Sequence, residues 1–197
     1  MSPITPAAPA EADQALPANC ARIEVHVGEL KQLFNAMDPA PFRDRDLDPN
    51  AEEFIVDWSR EVEANRPLAL IVHLSRQTPL PEDAAVLQQA VHEFFTHRAD
   101  GQRRSLKRLF RLGRTSLLIA VVFLGAALTI GDFVVGLVGG GEFGELLHES
   151  LLVGGAVALW RPLEIFLYDW WPIRDAARLY DRLSVMAVRI VAAERPA

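Results

Sequence analysis

Apolar residues dominate one long stretch of the chain, residues 116–138, whose sequence SLLIAVVFLGAALTIGDFVVGLV contains a single charge, Asp132. A helix rises about 1.5 Å per residue, so this stretch covers roughly 34 Å, enough for a hydrocarbon core of about 30 Å. A second apolar stretch, residues 146–168, is interrupted by Arg161 and Glu164. Because a short, Gly-rich, acidic segment joins the two stretches, the pattern predicts a two-span transmembrane helical hairpin.

Basic residues flank this pair of stretches at both ends. Those before the first stretch are Arg103, Arg104, Lys107, Arg108, Arg111 and Arg114. Those after the second are Arg174, Arg178 and Arg182, whereas the connecting segment has no Lys or Arg. Lys and Arg accumulate on the cytoplasmic side of a membrane, so both termini are predicted to be cytoplasmic. The basic run before the first stretch is predicted to contact anionic lipid headgroups rather than nucleic acid, because it lies directly beside a span.

The residues before position 101 predict a small cytoplasmic α/β domain. Apolar and polar residues alternate over residues 22–27, and a short apolar run fills residues 67–74; both patterns are typical of strands. Apolar residues at helical spacing predict three helices: residues 30–37, residues 54–62 and residues 86–95. The third helix is predicted to weaken near Asp100 and Gly101 and then to continue as a basic helix into the membrane.

The segment after the second apolar stretch predicts an amphipathic helix over residues 173–183 and a final strand, VMAVRIV, that returns to the first two. A small mixed sheet with the hairpin inserted between its second and third strands would result. The fold class is therefore an α+β membrane protein, a two-span transmembrane helical hairpin joined to a small cytoplasmic α/β domain. Its predicted segments are a disordered Pro/Ala-rich tail (1–20), the α/β domain (21–100), a basic juxtamembrane helix (101–115), the hairpin (116–168) and the amphipathic helix with the returning strand (169–197).

Alternating acids in the sequence DRDLDPNAEE, which begins at Asp44, are reminiscent of a calcium-binding loop. Such a loop needs glycine at its sixth position and glutamate at its twelfth, where this chain has Pro49 and Ile55. A helix start explains the residues better, with Asp48 as the N-cap and Pro49 as the first helical residue. Asp44 and Asp46 are not explained by capping, and we hypothesise that they pair with the arginines before the first span.

The histidines do not form a recognisable metal motif. His92 and His97 are five positions apart, so they point about 140° apart around a helix at roughly 100° per residue. His26 and His73 lie near the ends of the two predicted strands, where cross-strand neighbours without a third ligand favour a structural role. Neither a phosphate-binding loop nor a nucleophile elbow is present, and Cys20 is the only cysteine. The sequence thus predicts no catalytic residue, no cofactor and no metal.

Three polar residues within the apolar stretches are the candidate intramembrane site: Asp132, Arg161 and Glu164. Two hypotheses apply to them. They either line a polar pathway through an oligomer, or, as we prefer, Asp132 lies near the outer interface while the other two extend to the inner one. Small residues that permit close helix contact, either between subunits or within the hairpin, are Gly125, Gly136, Gly140, Gly154 and Gly155.

Composition gives further information about the cellular location of the protein. Half of its 197 residues are hydrophobic, yet the net charge is -6, and arginine far outnumbers lysine, which favours a bacterial inner-membrane protein. The predicted function is non-catalytic: the hairpin anchors a cytoplasmic domain for binding a protein partner or for self-assembly. The alternative is an oligomeric channel or transporter component that uses the polar residues of the spans. A membrane-bound enzyme with a site at the acidic loop is the third hypothesis.

Overall fold

The computed structural model describes residues 19–37, 45–76, 80–138 and 142–192. The chain divides into two compact units, and we call the one that contains the strands the sheet unit and the other, residues 93–184, the helical unit. In chain order the elements are β1 (Ala21–Val27), a 3₁₀ helix (Leu30–Leu33), α1 (Pro49–Glu61), β2 (Leu68–Leu74), α2 (Pro81–Val138), α3 (Glu142–Ala158), α4 (Trp160–Glu164), a π-helix (Ile165–Asp169), α5 (Trp170–Leu183) and β3 (Ala187–Ala192).

The three strands form one sheet in the order β1-β2-β3. All three are parallel, with Ile23 of β1 beside Leu70 of β2 and Leu70 beside Val188 of β3. The predicted strands are therefore present, and the third returns to pair with the second. The prediction of a mixed sheet is wrong, because helical segments follow β1 and β2 and bring each next strand back in the same direction.

The two faces of the sheet differ along β1. Ala21 and Ile23 are buried, whereas Arg22, Glu24 and His26 are exposed, as expected for side chains that alternate between faces. The central strand β2 is buried over almost its whole length, which agrees with its continuous apolar sequence. Purely parallel sheets usually have both faces covered, so the polar, exposed side of β1 is an unusual surface for this architecture.

Helix α1 begins as its sequence predicts. The Asp48 side chain accepts a hydrogen bond from the backbone N–H of Asn50 at 2.9 Å, and Pro49 is the first helical residue. This confirms the helix-start interpretation of the acidic stretch. Of the two acids that capping left unexplained, Asp44 lies outside the described residues, and the backbone carbonyl of Asp46 accepts a hydrogen bond from Asn35 at 2.9 Å.

The predicted first helix is reduced to the single 3₁₀ turn at Leu30–Leu33. The Gln32 side chain accepts a hydrogen bond from the backbone N–H of Gly28 at 2.8 Å and so closes this turn on the end of β1. Phe34 then forms an isolated antiparallel bridge with Leu47, which draws the backbone into an extended conformation. Apolar spacing alone could not anticipate that bridge, since it depends on a residue 13 positions away.

Helix α2 runs through Asp100 and Gly101 without a break, contrary to the predicted weakening. The second apolar stretch is interrupted instead: α3 ends at Ala158, four residues before Pro162. A proline lacks the N–H that would bond to the carbonyl four residues earlier, and its ring clashes with that carbonyl. Two helical stretches, Glu82–Leu137 and Leu146–Leu183, are long and apolar enough to cross a membrane, judged by length and composition.

Candidate functional site

Close contacts within the helical unit join α2 to the helices that follow it. At three α2 positions the two partners approach so closely that a side chain in place of the glycine would collide with its partner unless one of them shifted. These pairs are Gly113 with Ile165, Leu124 with Gly155, and Gly131 with His148. We call residues 142–183 the return segment. Moving along α2 towards its C-terminus, the partners move towards the N-terminus of this segment. Gly113 and Gly131 are 18 residues apart, so the contacts extend over roughly 27 Å.

Asp132 lies beside a histidine that sequence reasoning did not connect with it. The Asp132 Oδ1 is 3.7 Å from Nδ1 of His148, and the Asp132 side chain is 78% exposed. A methyl group on Gly131 would come within 2.7 Å of the same nitrogen, so the glycine leaves room for the ring. Val135 and Glu149 complete the lining of an open cleft of about 360 Å³ at this point. The cleft is thus lined by one imidazole and two carboxylates, of which only Asp132 approaches the imidazole at 3.7 Å.

Arg161 and Glu164 meet, as their spacing predicts. The Arg161 Nη1 lies 2.8 Å from Oε2 of Glu164 and 3.2 Å from Oδ2 of Asp169. Asp169 was not expected to join them, because eight residues on a regular helix put it out of phase. The intervening π-helix, Ile165–Asp169, has more residues per turn and rotates Asp169 back towards the guanidinium. The arginine therefore extends along the chain towards Trp170 and is neutralised by two carboxylates.

The structure does not bring the three predicted intramembrane residues together. Asp132 lies beside His148 at one end of the helix contacts, whereas Arg161 and Glu164 pair with each other near the opposite end, where Ile165 meets Gly113. They belong to two separate polar clusters. The separation arises from the reversed order of the contacts, which the sequence could not define without knowing the packing register.

The basic residues of α2 that were predicted to contact lipid are all exposed. They fall within a sector of about 140° at roughly 100° per residue, on a side of α2 away from Gly113 and Gly131. Arg103 differs from the others: its guanidinium donates to Asp100 at 2.9 Å and to Asp181 at 2.8 Å. The hydrogen bond that Arg103 donates to Asp100 and the negative charge of Asp181 raise the pKa of Arg103 above its already high ordinary value.

An aromatic cluster lies where α2 meets the π-helix and α5. Phe110 stacks on Phe166, with ring centroids 6.2 Å apart, and lies 6.5 Å from the ring of Trp170. The Trp170 indole N–H donates to the backbone carbonyl of Phe166 at 2.9 Å, and Arg174 lies over its ring. Three further large aromatic side chains nearby in the sequence are exposed: Trp160, Tyr168 and Trp171. Phe110, at the centre of the cluster, lies between the basic residues Arg108 and Arg111 of α2.

Glycines show two distinct environments. Gly155 packs against Leu124, and its lack of a side chain is required by that contact. Gly125, Gly136 and Gly154 have open space where a side chain would lie, and Gly140 is outside the described residues. Of the predicted small-residue contacts, only the one at Gly155 therefore belongs to the packing between the helices described here.

The sheet unit holds the two other predicted histidines as direct neighbours. His26 and His73 are paired in register, with parallel rings stacked 4.4 Å apart, and His73 Nε2 lies 3.7 Å from Oε2 of Glu24. His92 contacts the backbone carbonyl of Met186 at 2.6 Å and so fixes α2 to the segment before β3. In the described parts of the chain, no three His, Cys, Asp or Glu residues are grouped to hold a metal ion.

Comparison of the chain with protein-family models, curated proteins and solved structures gave no significant match.

Proposed function

We propose that the chain is a non-catalytic integral protein of the bacterial inner membrane. In this proposal α2 and the return segment cross the bilayer as a helical hairpin. The sheet unit lies on the cytoplasmic side, where it binds a protein partner or a second copy of the chain. The observation that carries the proposal is the distribution of apolar and charged side chains along the two helical stretches.

The apolar part of α2 has the dimensions of a bilayer core. No charged residue occurs over residues 115–131, and the distance from Arg114 to Asp132 is roughly 27 Å along the helix, close to a hydrocarbon thickness of about 30 Å. Large apolar side chains in this part are exposed: Leu117, Leu118, Ile119, Val121, Val122, Phe123, Leu128 and Ile130. A soluble protein rarely exposes so continuous an apolar surface, which favours contact with lipid.

The two ends of this apolar surface resemble two membrane interfaces. Basic residues and the aromatic cluster around Trp170 occur together at one end, as is common on the cytoplasmic side. Arg161 extends towards Asp169 at that same end, in the manner of a side chain that reaches from the apolar region to the headgroups. Asp132 and His148 lie at the other end.

A channel or transporter component that uses Asp132, Arg161 and Glu164 is the less favoured function. It would need a polar route between the two clusters. The large exposed side chains between them are apolar, and the hydroxyls of Thr129 and Ser150 donate to backbone carbonyls of their own helices. Binding by the sheet unit is supported by the exposed polar side of β1, which a purely parallel sheet normally keeps covered. The absence of a recognisable catalytic motif in the sequence leaves this surface as the main candidate for function.

The native cysteine provides a direct test of the topology. Cys20 is the only thiol and lies just before β1, so a membrane-impermeant maleimide should label it only after the inner membrane is permeabilised. With Cys20→Ser and Glu142→Cys combined, the new thiol at the exposed start of α3 should react when only the outer membrane is opened. Labelling of Cys20 from outside, or equal labelling of both positions, would show that the proposed orientation is wrong.

Binding through β1 is testable with the full chain in mild detergent. Arg22→Glu with His26→Glu should reduce recovery of the bound partner, or lower the oligomeric mass, because both side chains are exposed on the polar side of β1. A control that also changes two exposed charged positions of the sheet unit exchanges the Asp57–Arg60 ion pair on α1, as Asp57→Arg with Arg60→Asp, and leaves the net charge unchanged. Affinity purification and mass photometry would compare them with wild type. Identical partner lists and masses for all three proteins would contradict binding through this surface.

A further inference from the structure

Five basic side chains of α2 have no acidic partner within the described chain. We call them the basic stripe: Arg104, Lys107, Arg108, Arg111 and Arg114. All five are exposed and occupy a sector of about 120° over roughly 15 Å of the helix. Neither a hydrogen bond nor an ion pair engages their charged groups in the described residues. Arg103 is not part of the stripe, because Asp100 and Asp181 already bind it.

Among the described residues near the basic stripe, carboxylates that could neutralise it are absent or already paired with other arginines. Residues 101–131 contain no Asp or Glu, so the helix offers no partner on the C-terminal side of the stripe. Four acidic residues of the return segment bind other arginines: Glu164 and Asp169 bind Arg161, Asp175 lies near Arg178, and Asp181 binds Arg103. A chain with a net charge of -6 thus presents a concentrated, uncompensated positive surface at one place.

We propose that the basic stripe binds the phosphate groups of anionic phospholipids and prefers a lipid that carries two phosphates. This inference rests on the proposed membrane anchoring. The stripe continues directly into the exposed apolar surface that begins at Leu117, and Trp170 lies beside Phe110, within the length of the stripe. Positive side chains at that depth meet lipid headgroups, and each contributes about 1 kcal/mol of attraction to an anionic surface.

The spacing of the stripe is the reason for two phosphates. Arg104 and Arg108 are four residues apart, as are Lys107 and Arg111, so each pair forms a cleft with Cβ atoms about 5–6 Å apart. An arginine fork can bind phosphate through two parallel hydrogen bonds. The two clefts are adjacent on one face. A lipid whose two phosphates are covalently linked would fill both, and the second contact would benefit from a high effective concentration.

Nucleic acid carries phosphate groups as well, but it fits this surface less well than a phospholipid does. A basic helix face by itself could bind the phosphates of nucleic acid. Nucleic acid would not cover the apolar side chains that follow directly after Arg114, however. A phospholipid satisfies both parts at once, because its headgroup lies beside the stripe and its acyl chains lie against the apolar surface.

The test uses the full chain, reconstituted in vesicles and titrated in detergent. Vesicles of phosphatidylcholine alone, with phosphatidylglycerol, and with cardiolipin at equal total headgroup charge provide the three lipid conditions. Native mass spectrometry of the detergent-solubilised protein then measures cardiolipin affinity. Arg108→Gln with Arg111→Gln removes two contacts of the basic stripe and should bind cardiolipin about thirtyfold more weakly than wild type. The control, Arg60→Gln with Arg178→Gln, removes the same charge from arginines paired with Asp57 and Asp175 and should bind like wild type.

Several results would overturn the proposal. Equal loss of affinity in both double variants would mean that net charge, not the stripe, governs binding. Equal affinity for phosphatidylglycerol and cardiolipin at matched charge would exclude the preference for two phosphates. Displacement of cardiolipin by single-stranded RNA or by inorganic phosphate at comparable concentrations would exclude a lipid site. If Cys20 labelling supports the topology while cardiolipin affinity is unaffected in the variant, only the lipid proposal is wrong. If wild-type protein is instead extracted from membranes by alkaline carbonate, the proposed anchoring is wrong.

Discussion

Val122→Arg is expected to prevent stable membrane insertion of the full chain. Val122 is 64% exposed and lies near the middle of the uncharged part of α2. An arginine at the centre of a spanning helix raises the free energy of insertion by about 2.5–3.5 kcal/mol. The fraction of protein that resists extraction from membranes by alkaline carbonate should therefore fall strongly.

A second arginine on the same helix controls for charge and helix propensity. Leu112 is 56% exposed and lies within the basic region, so Leu112→Arg should leave the carbonate-resistant fraction close to that of wild type. The comparison tests the effect of depth in the bilayer alone, because both variants add one arginine at an exposed apolar position of α2. If the two variants were extracted equally, residues near Val122 would not lie in a hydrocarbon core.

Gly155→Ile is expected to destabilise the contact between α2 and α3. A side chain at Gly155 would collide with Leu124, whose Cα lies 3.4 Å from the position of the added Cβ. Because backbone as well as side-chain atoms are close, a rotamer change cannot relieve the clash fully, and overpacking of this kind costs about 1–3 kcal/mol. The midpoint of unfolding of the detergent-solubilised full chain should decrease accordingly.

The neighbouring glycine is the matched control for this prediction. Gly154 has no atom within 4 Å of an added Cβ, so Gly154→Ile introduces the same β-branched residue into the same helix without a collision. Its unfolding midpoint should remain near that of wild type. Similar decreases in the unfolding midpoint of both variants would mean that helix propensity, not packing, causes the loss of stability. That result would contradict the contact between Gly155 and Leu124.

The local features of the chain were predictable because their causes are local. Asp48 caps α1 through the N–H of Asn50, two residues away, and no distant group is needed to form that contact. Arg161 and Glu164 meet because a helical turn brings residues three apart to one face. His26 and His73 are neighbours because their strands pair in register, which the similar positions of both histidines in their strands suggested.

The candidate site was less predictable because its partners come from different helices. Nothing in the sequence connects Asp132 with His148, and their contact depends on how α2 and α3 align at Gly131. A glycine next to a charged residue in an apolar stretch was the available signal, although it does not identify the partner. Asp169 was missed for a related reason: a π-helix changes the residue count per turn, and periodicity assumes a constant one.

The sequence by itself determined that two helical stretches are long and apolar enough to cross a membrane, and that basic residues collect at their outer ends. These properties follow from composition and length, since transfer free energies and helix rise are summed residue by residue. Tertiary structure alone decided the parallel direction of all three strands, the contact between Asp132 and His148, and the ion pair between Arg161 and Asp169. Each of these features depends either on packing between separate segments of the chain or on a local change of helix geometry. A single periodic pattern of apolar residues encodes neither of these two causes.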